Sequence, residues 1–326
     1  MMKYLGVLLL NIFFCVVLLV HPKSEIYHGW EMTPEQVVDH YSKNISADTG
    51  SYANMPDKDM LRTIGYPILL KMFMQSNHFL ILILLFNCLL GAWMFFVVYQ
   101  LIGAKAWILA ALGAFTAYVP ILYTDLLFAT LFVTSIWMIR KNLWIHFLLL
   151  GAAALVRPSL AWFFLIEPIV LYYYGQKRVL WSLPIVFILT SFNPIRNYIN
   201  HGVWTHSTVL QFNIKSGDYY GGTESVKYFI KAFMANDLSG HYDYIGAMFN
   251  SYKRDMGDKR YSLVMYISNI LCVIINMMIW VRFGVKAALA RVNFGNLMIA
   301  IYFIIPTLFG AAGARLRLPI EWILLI

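Results

Sequence analysis

A chain of 326 residues that is 60% hydrophobic and only 13% charged carries too little polar surface to stay dissolved as a water-soluble domain of that size. With a mean hydropathy of +0.66, it reads as an integral membrane protein, and an ordinary soluble enzyme is excluded. The net charge of +9 resides largely in basic residues flanking apolar runs, so it gives no ground for nucleic-acid binding.

The apolar runs are about 15 to 21 residues long, close to the ~20 that a helix needs to cross hydrocarbon. Barrel-like alternation is absent, so the expected class is all-α, a polytopic bundle of about nine to ten transmembrane helices with two extracytoplasmic loops. The spans predicted in chain order are 4–20, 79–99, 106–123, 126–139, 143–156, 160–174, 179–192, 261–281 and 297–312. The first has the length of a signal peptide. No small-x-small site precedes His21-Pro22-Lys23, however, and the segment is expected to be a retained anchor.

Alternate connections carry Lys3, Lys105, Arg140-Lys141, Lys177-Arg178, and then Arg282, Lys286 and Arg291, which the positive-inside rule assigns to the cytoplasm. The two long hydrophilic segments, 21–78 and 193–260, then fall outside, and residues 261–326 hold the last spans. The same walk puts Arg157, Arg196, Arg315 and Arg317 at the outer boundary, where fixed positive charge is unusual. One reading is that each snorkels to headgroups; the other is an organised site for a lipid-bound anion.

The cysteines, Cys15, Cys88 and Cys272, all lie inside predicted spans without metal-ligand spacing. No phosphate loop, dinucleotide turn or paired-histidine metalloprotease motif occurs, so a cytosolic nucleotide is not expected and a reactive donor would arrive through the bilayer. In the first outer segment Asp48-Thr49-Gly50-Ser51-Tyr52-Ala53 precedes Arg62-Thr63-Ile64-Gly65-Tyr66-Pro67. Asp125 opens the fourth span from the outer side, where an unpaired carboxylate is costly, so an arginine partner is expected. The plain alternatives are a solvated loop acid for Asp48 and a dipole-favoured helix-start acid for Asp125.

These strings resemble those of the membrane-embedded glycosyltransferases of the C-type fold (GT-C), in particular the branch of protein O-mannosyltransferases and the bacterial lipid A aminoarabinose transferase. Asp48, Tyr52 and the stretch Arg62 to Pro67 are similar to that family's outer-loop aspartate, tyrosine and Arg-x-Pro-Gly-Tyr-Pro, with Ile64 in place of the first proline. Thr124-Asp125-Leu126-Leu127-Phe128 resembles its acid-containing helix start. The run from Gly151 to Arg157-Pro158 resembles its Gly-Leu-Ala-x-Leu-x-Arg-Pro, Asn193-Pro194-Ile195-Arg196-Asn197-Tyr198 its Pro-Trp-x-x-Arg-Asn-Tyr, and Arg315-Leu316-Arg317-Leu318-Pro319 its Arg-Tyr-x-x-Pro.

The resemblance implies an inverting glycosyltransferase that moves a sugar from a polyprenyl phosphate to a hydroxyl acceptor, which would be a glycan, a lipid or a protein. Its site would face the extracytoplasmic side, with a bacterial inner membrane as the expected home and a role in cell-envelope or lipopolysaccharide glycosylation. Asp48 would be the general base. Asp125 would orient it or an arginine, or help to hold a divalent cation; no other cofactor is implied. Arg62, Arg157, Arg196, Arg315 and Arg317 would bind the donor phosphate through paired guanidinium hydrogen bonds. Tyr52, Tyr66, Asn197 and His201 are candidates to line the substrate pocket. Two other classes stay open. A polymerase or ligase of lipid-linked polysaccharide would also place arginines and an acid outside. A flippase or transporter would show mid-span charges and an internal repeat, whereas the acids and arginines here are expected at span ends.

Overall fold

The computed structural model describes residues 2–21, 26–45, 47–53, 63–157, 161–173, 175–205, 274, 278 and 321–325. Among them the regular structure is all helical, without a strand. The helices are α1 (Met2–Val20), α2 (Pro34–His40), α3 (Ala47–Ala53), α4 (Gly65–Met74), α5 (Phe79–Ile102), α6 (Ala106–Ala111), α7 (Thr124–Met138), α8 (Leu143–Val156), α9 (Ala161–Tyr173) and α10 (Leu183–His201). Two stretches, Phe79–Ala111 and Lys177–His201, are long and apolar enough to cross a membrane. The shorter apolar helices are Tyr4–Val20, Thr124–Met138 and Leu143–Val156.

Local chemistry sets the helix ends. Asn142 caps α8 by accepting from the amides of Trp144 and Ile145, which satisfies two of the donors a helix start leaves open. Thr33 and Gln36 form a reciprocal capping box on α2. At the other ends, α5 stops at Gly103 and α10 at Gly202, both with positive φ, a backbone state that glycine adopts without a Cβ penalty.

Contacts fix the running direction of each traverse. Tyr4, near the start of α1, packs edge-on against Phe96 at 4.8 Å and accepts from Gln100 near the end of α5. At the opposite end the amide of His28 donates to the Leu19 carbonyl, and Gly29 lies against Leu80 near the start of α5. The two helices are therefore antiparallel. Trp107 and Phe115 meet Phe95, and farther along the chain Val119 and Ile121 meet Asn87, so residues 106–123 run back along α5. Thr134 and Trp137 of α7 reach Trp93. His146 and Arg157 of α8 reach Ser135 and Asp125, so α8 returns along α7. Glu167 of α9 meets His146; α10 returns again, with Leu189 against Gly151 and Asn193 against Ile64.

The alternation gives the bundle two chemically different ends. Lys105, Arg140, Lys141, Lys177 and Arg178 occupy the turns at one of them. At the other lie Arg157 and Arg196, together with α2, α3 and α4 of the segment expected as a hydrophilic loop. That segment is folded onto the bundle: Tyr41, Tyr52, Tyr66 and Leu70 are buried.

Two expected spans are corrected. Residues 106–123 do not form one helix, since α6 ends at Ala111 and the chain proceeds through successive turns. Gly113, with φ 81, turns the chain out of the right-handed helix. Pro120 then removes an amide and disfavours helical geometry at the residue before it. Residues 112–122 are nevertheless buried, so their carbonyls need donors. Asn87 supplies two, to Val119 and Ile121 at 2.9 and 3.4 Å, and the hydroxyl of Tyr41 donates to the Pro120 carbonyl at 2.8 Å. Close approach of this segment to α5 requires Gly91, because a Cβ there would strike the Phe115 carbonyl.

The second correction concerns the span at 179–192. Residues Lys177–Ser182 form a 3-10 helix and α10 continues to His201 despite the internal Pro194. The Arg196-Asn197 pair thus stands on the last turns of a helix, and the second loop does not begin at Asn193. Cys15 and Cys88 bring α1 and α5 together with their sulfurs 3.6 Å apart, both as free thiols.

Candidate functional site

Asp125 sits in the first turn of α7 and is 2% exposed. Position alone gives it some support from the helix dipole, but a buried carboxylate needs an opposite charge or several donors. Arg157 provides the charge. As the C-cap residue of α8 it has extended backbone, φ −137 and ψ 128, which swings its side chain off the helix end and places Nη1 2.6 Å from Asp125 Oδ1. Its guanidinium also lies 5.6 Å from the centre of the Phe128 ring, one turn along α7, within the range of a cation–π contact. The expected arginine partner of Asp125 is therefore Arg157.

Helix α3, which carries Asp48, is fastened beside this pair. The hydroxyl of Thr49 donates to the Leu122 carbonyl at 3.2 Å, and that of Tyr52 lies 3.4 Å from Thr124 Oγ1. Leu122 and Thr124 are the residues leading into Asp125, so α3 is anchored to the start of α7. Tyr66, in the first turn of α4, meets Tyr52 edge-on with centroids 5.2 Å apart. Helix α4 in turn packs on the end of α8, where a Cβ on Gly65 would lie 2.7 Å from the Leu155 carbonyl oxygen; only glycine allows this approach. Burial, with smaller contributions from Tyr52, Tyr41 and the Asp125 carboxylate, pushes the Tyr66 phenol well above its ordinary value. Burial also raises that of Tyr41. Both phenols therefore remain protonated donors.

Arg196 belongs to a second group at the same end of the bundle. Its Nε and Nη2 both donate to Oδ1 of Asn197, at 3.0 and 2.8 Å, while Nδ2 of Asn197 donates to the Thr205 carbonyl at 2.8 Å. The fully buried Asn197 thus orients the arginine and ties down the chain after α10, which makes it a positioning residue. Arg196 lines an apolar groove of about 640 Å³ along α10, together with Phe187, Ser191, Phe192 and Ile195. His201 lies one turn farther on, its Nε2 buried and without a hydrogen-bond partner among the described residues.

The structure thus brings Asp125, Arg157, Tyr52 and Tyr66 together beside the helix that bears Asp48, and gathers Arg196, Asn197 and His201 separately on α10. Arg62, Arg315 and Arg317 lie outside the described residues. Among the described residues no three His, Cys, Asp or Glu side chains gather at one point.

One expectation about charge placement is corrected. Glu167 is not at a span end but in the middle of α9, where it meets His146 near the start of α8, both side chains fully buried and Nε2 3.1 Å from Oε2. The Nδ1 of His146 lies 2.7 Å from the Ser135 carbonyl, which can only accept, so Nδ1 carries the hydrogen. Nε2 is left to face the Glu167 carboxylate. The two atoms are close enough for an ion pair but off the line of a hydrogen bond. This pair was legible as two ionisable residues inside predicted spans. Asn193, whose Oδ1 accepts from the Ile64 amide at 3.4 Å, was visible only as part of a longer string, and nothing in the sequence singles it out from Asn197.

No family model, no curated protein and no solved structure matches the chain.

Proposed function

We propose that the chain is a polytopic membrane glycosyltransferase that transfers a sugar from a polyprenyl phosphate to a hydroxyl acceptor at the non-cytosolic face of the bilayer. The carrying observation is the 2.6 Å Asp125–Arg157 contact with α3 fastened beside it. Stretches separated by some thirty to seventy residues, each resembling a motif of one transferase family, meet at one end of the bundle. A membrane setting is supported by the two long apolar stretches and by Leu85, Leu89, Leu148, Ile169, Phe187 and Ile188 on the outer surfaces of the helices, where lipid would cover them. The basic turns at the opposite end support this orientation.

In this reading Asp48 takes the proton from the acceptor hydroxyl as its oxygen attacks the anomeric carbon from the side opposite the phosphate. The sugar–phosphate bond breaks and the configuration inverts. The phosphate leaves as an anion held by Arg157 and Arg196, and the apolar groove that Arg196 lines suits the isoprenoid tail. Charge on the phosphate grows as the bond breaks, so these guanidiniums stabilise the transition state more than the ground state. Asp125 keeps Arg157 in place and prevents it from swinging to solvent.

The test is release of sugar from a polyprenyl-phosphate-linked donor by the full chain in proteoliposomes. Wild type turns over, while Asp48→Asn and Arg157→Ala lose about 100-fold or more; full turnover in both variants overturns the reading. The buried His146–Glu167 pair and the interrupted segment at 112–122 favour a second reading, a flippase of lipid-linked sugar. The same assay separates the two, since a flippase moves the intact conjugate between leaflets without cleaving it.

A further inference from the structure

Beside the Asp125–Arg157 pair, three buried polar side chains hold hydrogen-bonding capacity that no described residue uses. They are the hydroxyls of Thr63 and Tyr66, at 2% and 1% exposure, and Nδ2 of Asn193 at 0%. One wedge of chain collects them. Residues Thr63 to Tyr66 enter between the end of α8, where Gly65 touches the Leu155 carbonyl, and α10, where Asn193 accepts from the Ile64 amide. That hydrogen bond fixes the carboxamide orientation, because Oδ1 must face the Ile64 N–H and Nδ2 must face away.

A fold seldom leaves even one buried polar group unpaired, and three in one wedge point to something that arrives. The chemistry of the three is uniform. Each can donate, the two hydroxyls can also accept, and none carries charge, whereas the cation next to them, Arg157, suits an anion. A sugar joined to phosphate presents both characters one bond apart, an anion for the guanidinium and hydroxyls for the neutral groups.

We infer that Thr63, Tyr66 and Asn193 form a neutral wall that reads the hydroxyls of the transferred sugar, so that the donor bears free hydroxyl groups on the face turned to them. The inference rests on the sugar-transfer reading. It assigns specificity to this wall and affinity for the carrier to the arginines. A site built to hydrogen-bond a hydroxyl rejects an analogue without it strongly, because its own buried groups are then left unpaired.

Tyr66→Phe and Thr63→Val test it, since each deletes a single oxygen or replaces it by a methyl group of similar size. The probes are short polyprenyl phosphates bearing glucose, galactose, mannose or N-acetylglucosamine, and the same carrier without sugar, added to the purified full chain. Thermal shift and transfer rate are both read. The wild type is stabilised more by at least one sugar-bearing carrier than by the bare carrier. Both variants melt no lower than wild type when unliganded, lose that extra stabilisation, transfer the preferred sugar about 100-fold more slowly, and still bind the bare carrier.

Variants that melt well below wild type would show the hydroxyls to be spent inside the fold and overturn the inference. So would variants that keep the preference for sugar, or a wild type indifferent to every sugar in the panel. Failure of the transfer reading itself shows elsewhere: Asp48→Asn and Arg157→Ala would then keep full turnover whatever the wall variants do.

Discussion

Helix α8 carries an ion pair at each end, and the two are built differently. Near its start His146 meets Glu167 with both side chains at 0% exposure; at its end Arg157 meets Asp125 with the arginine 14% exposed. The enclosed pair ties α7, α8 and α9 through the Ser135 carbonyl. At the open pair Arg157 is held by Asp125 at 2.6 Å and stays partly exposed. Burial thus separates an enclosed pair from a partly open one, although both are ionic contacts between apolar helices. A buried pair is weak evidence of stabilisation as such, yet breaking it is costly.

The largest effect sharpens that contrast. His146→Leu leaves the Glu167 carboxylate buried without a partner and is expected to destabilise by about 3 to 5 kcal/mol, whereas the double change His146→Leu with Glu167→Leu is near neutral. Thermal melting in detergent reads both; equal losses in the single and double variants would break the account of the enclosed pair. At the open end Asp125→Asn keeps the shape and one acceptor oxygen. It is expected to leave melting near wild type but to cut sugar release about 100-fold, because Arg157 is no longer held by charge. A variant that melts early and retains turnover would reverse the two roles.

A third effect is expected at the interrupted segment that carries Asp125. Asn87→Leu strips the donors from the Val119 and Ile121 carbonyls and should cost about 1 to 3 kcal/mol, seen as a lower melting temperature. Alkaline pH acts on the packing around the site. The buried Tyr41 and Tyr66 phenols ionise less readily in the folded chain than in the unfolded one. The unfolded chain therefore releases these protons first as pH rises past the ordinary phenol value of 10.0, and stability falls above that pH with no contribution from them below it. Tyr41→Phe with Tyr66→Phe should flatten this limb of a pH–melting profile. The smallest effect is that of Thr33→Ala, about 1 kcal/mol from loss of the α2 cap, which should change neither pair.

Much of this arrangement is legible in the sequence where a single physical rule dominates. The length of an apolar run predicts α1, α5 and α8 nearly to the residue, and the cost of an unpaired carboxylate predicts a partner for Asp125. The rule fails where side chains replace helical hydrogen bonds. Residues 106–123 have the hydropathy of a span, but their path depends on Asn87, Tyr41 and Thr49, which come from other parts of the chain and donate to its carbonyls. It fails again at 179–192, where Pro194 invites a helix end that α10 does not take. The candidate site divides in the same way. Its charged members announce themselves by position at span ends, while Thr63 and Asn193 gain meaning only when folding brings the residues just before α4 onto α10.

The account depends most on Asp48, Arg157 and Arg196 sharing the non-cytosolic face while the basic turns share the other. Single cysteines placed at Asp48, Gly202 and Lys141, in a chain with Cys15, Cys88 and Cys272 replaced by serine, can be probed with a membrane-impermeant thiol reagent on oriented vesicles. The account predicts labelling of positions 48 and 202 from the outside and of position 141 from the cytosolic side alone. Labelling of positions 48 and 202 from opposite sides would contradict it.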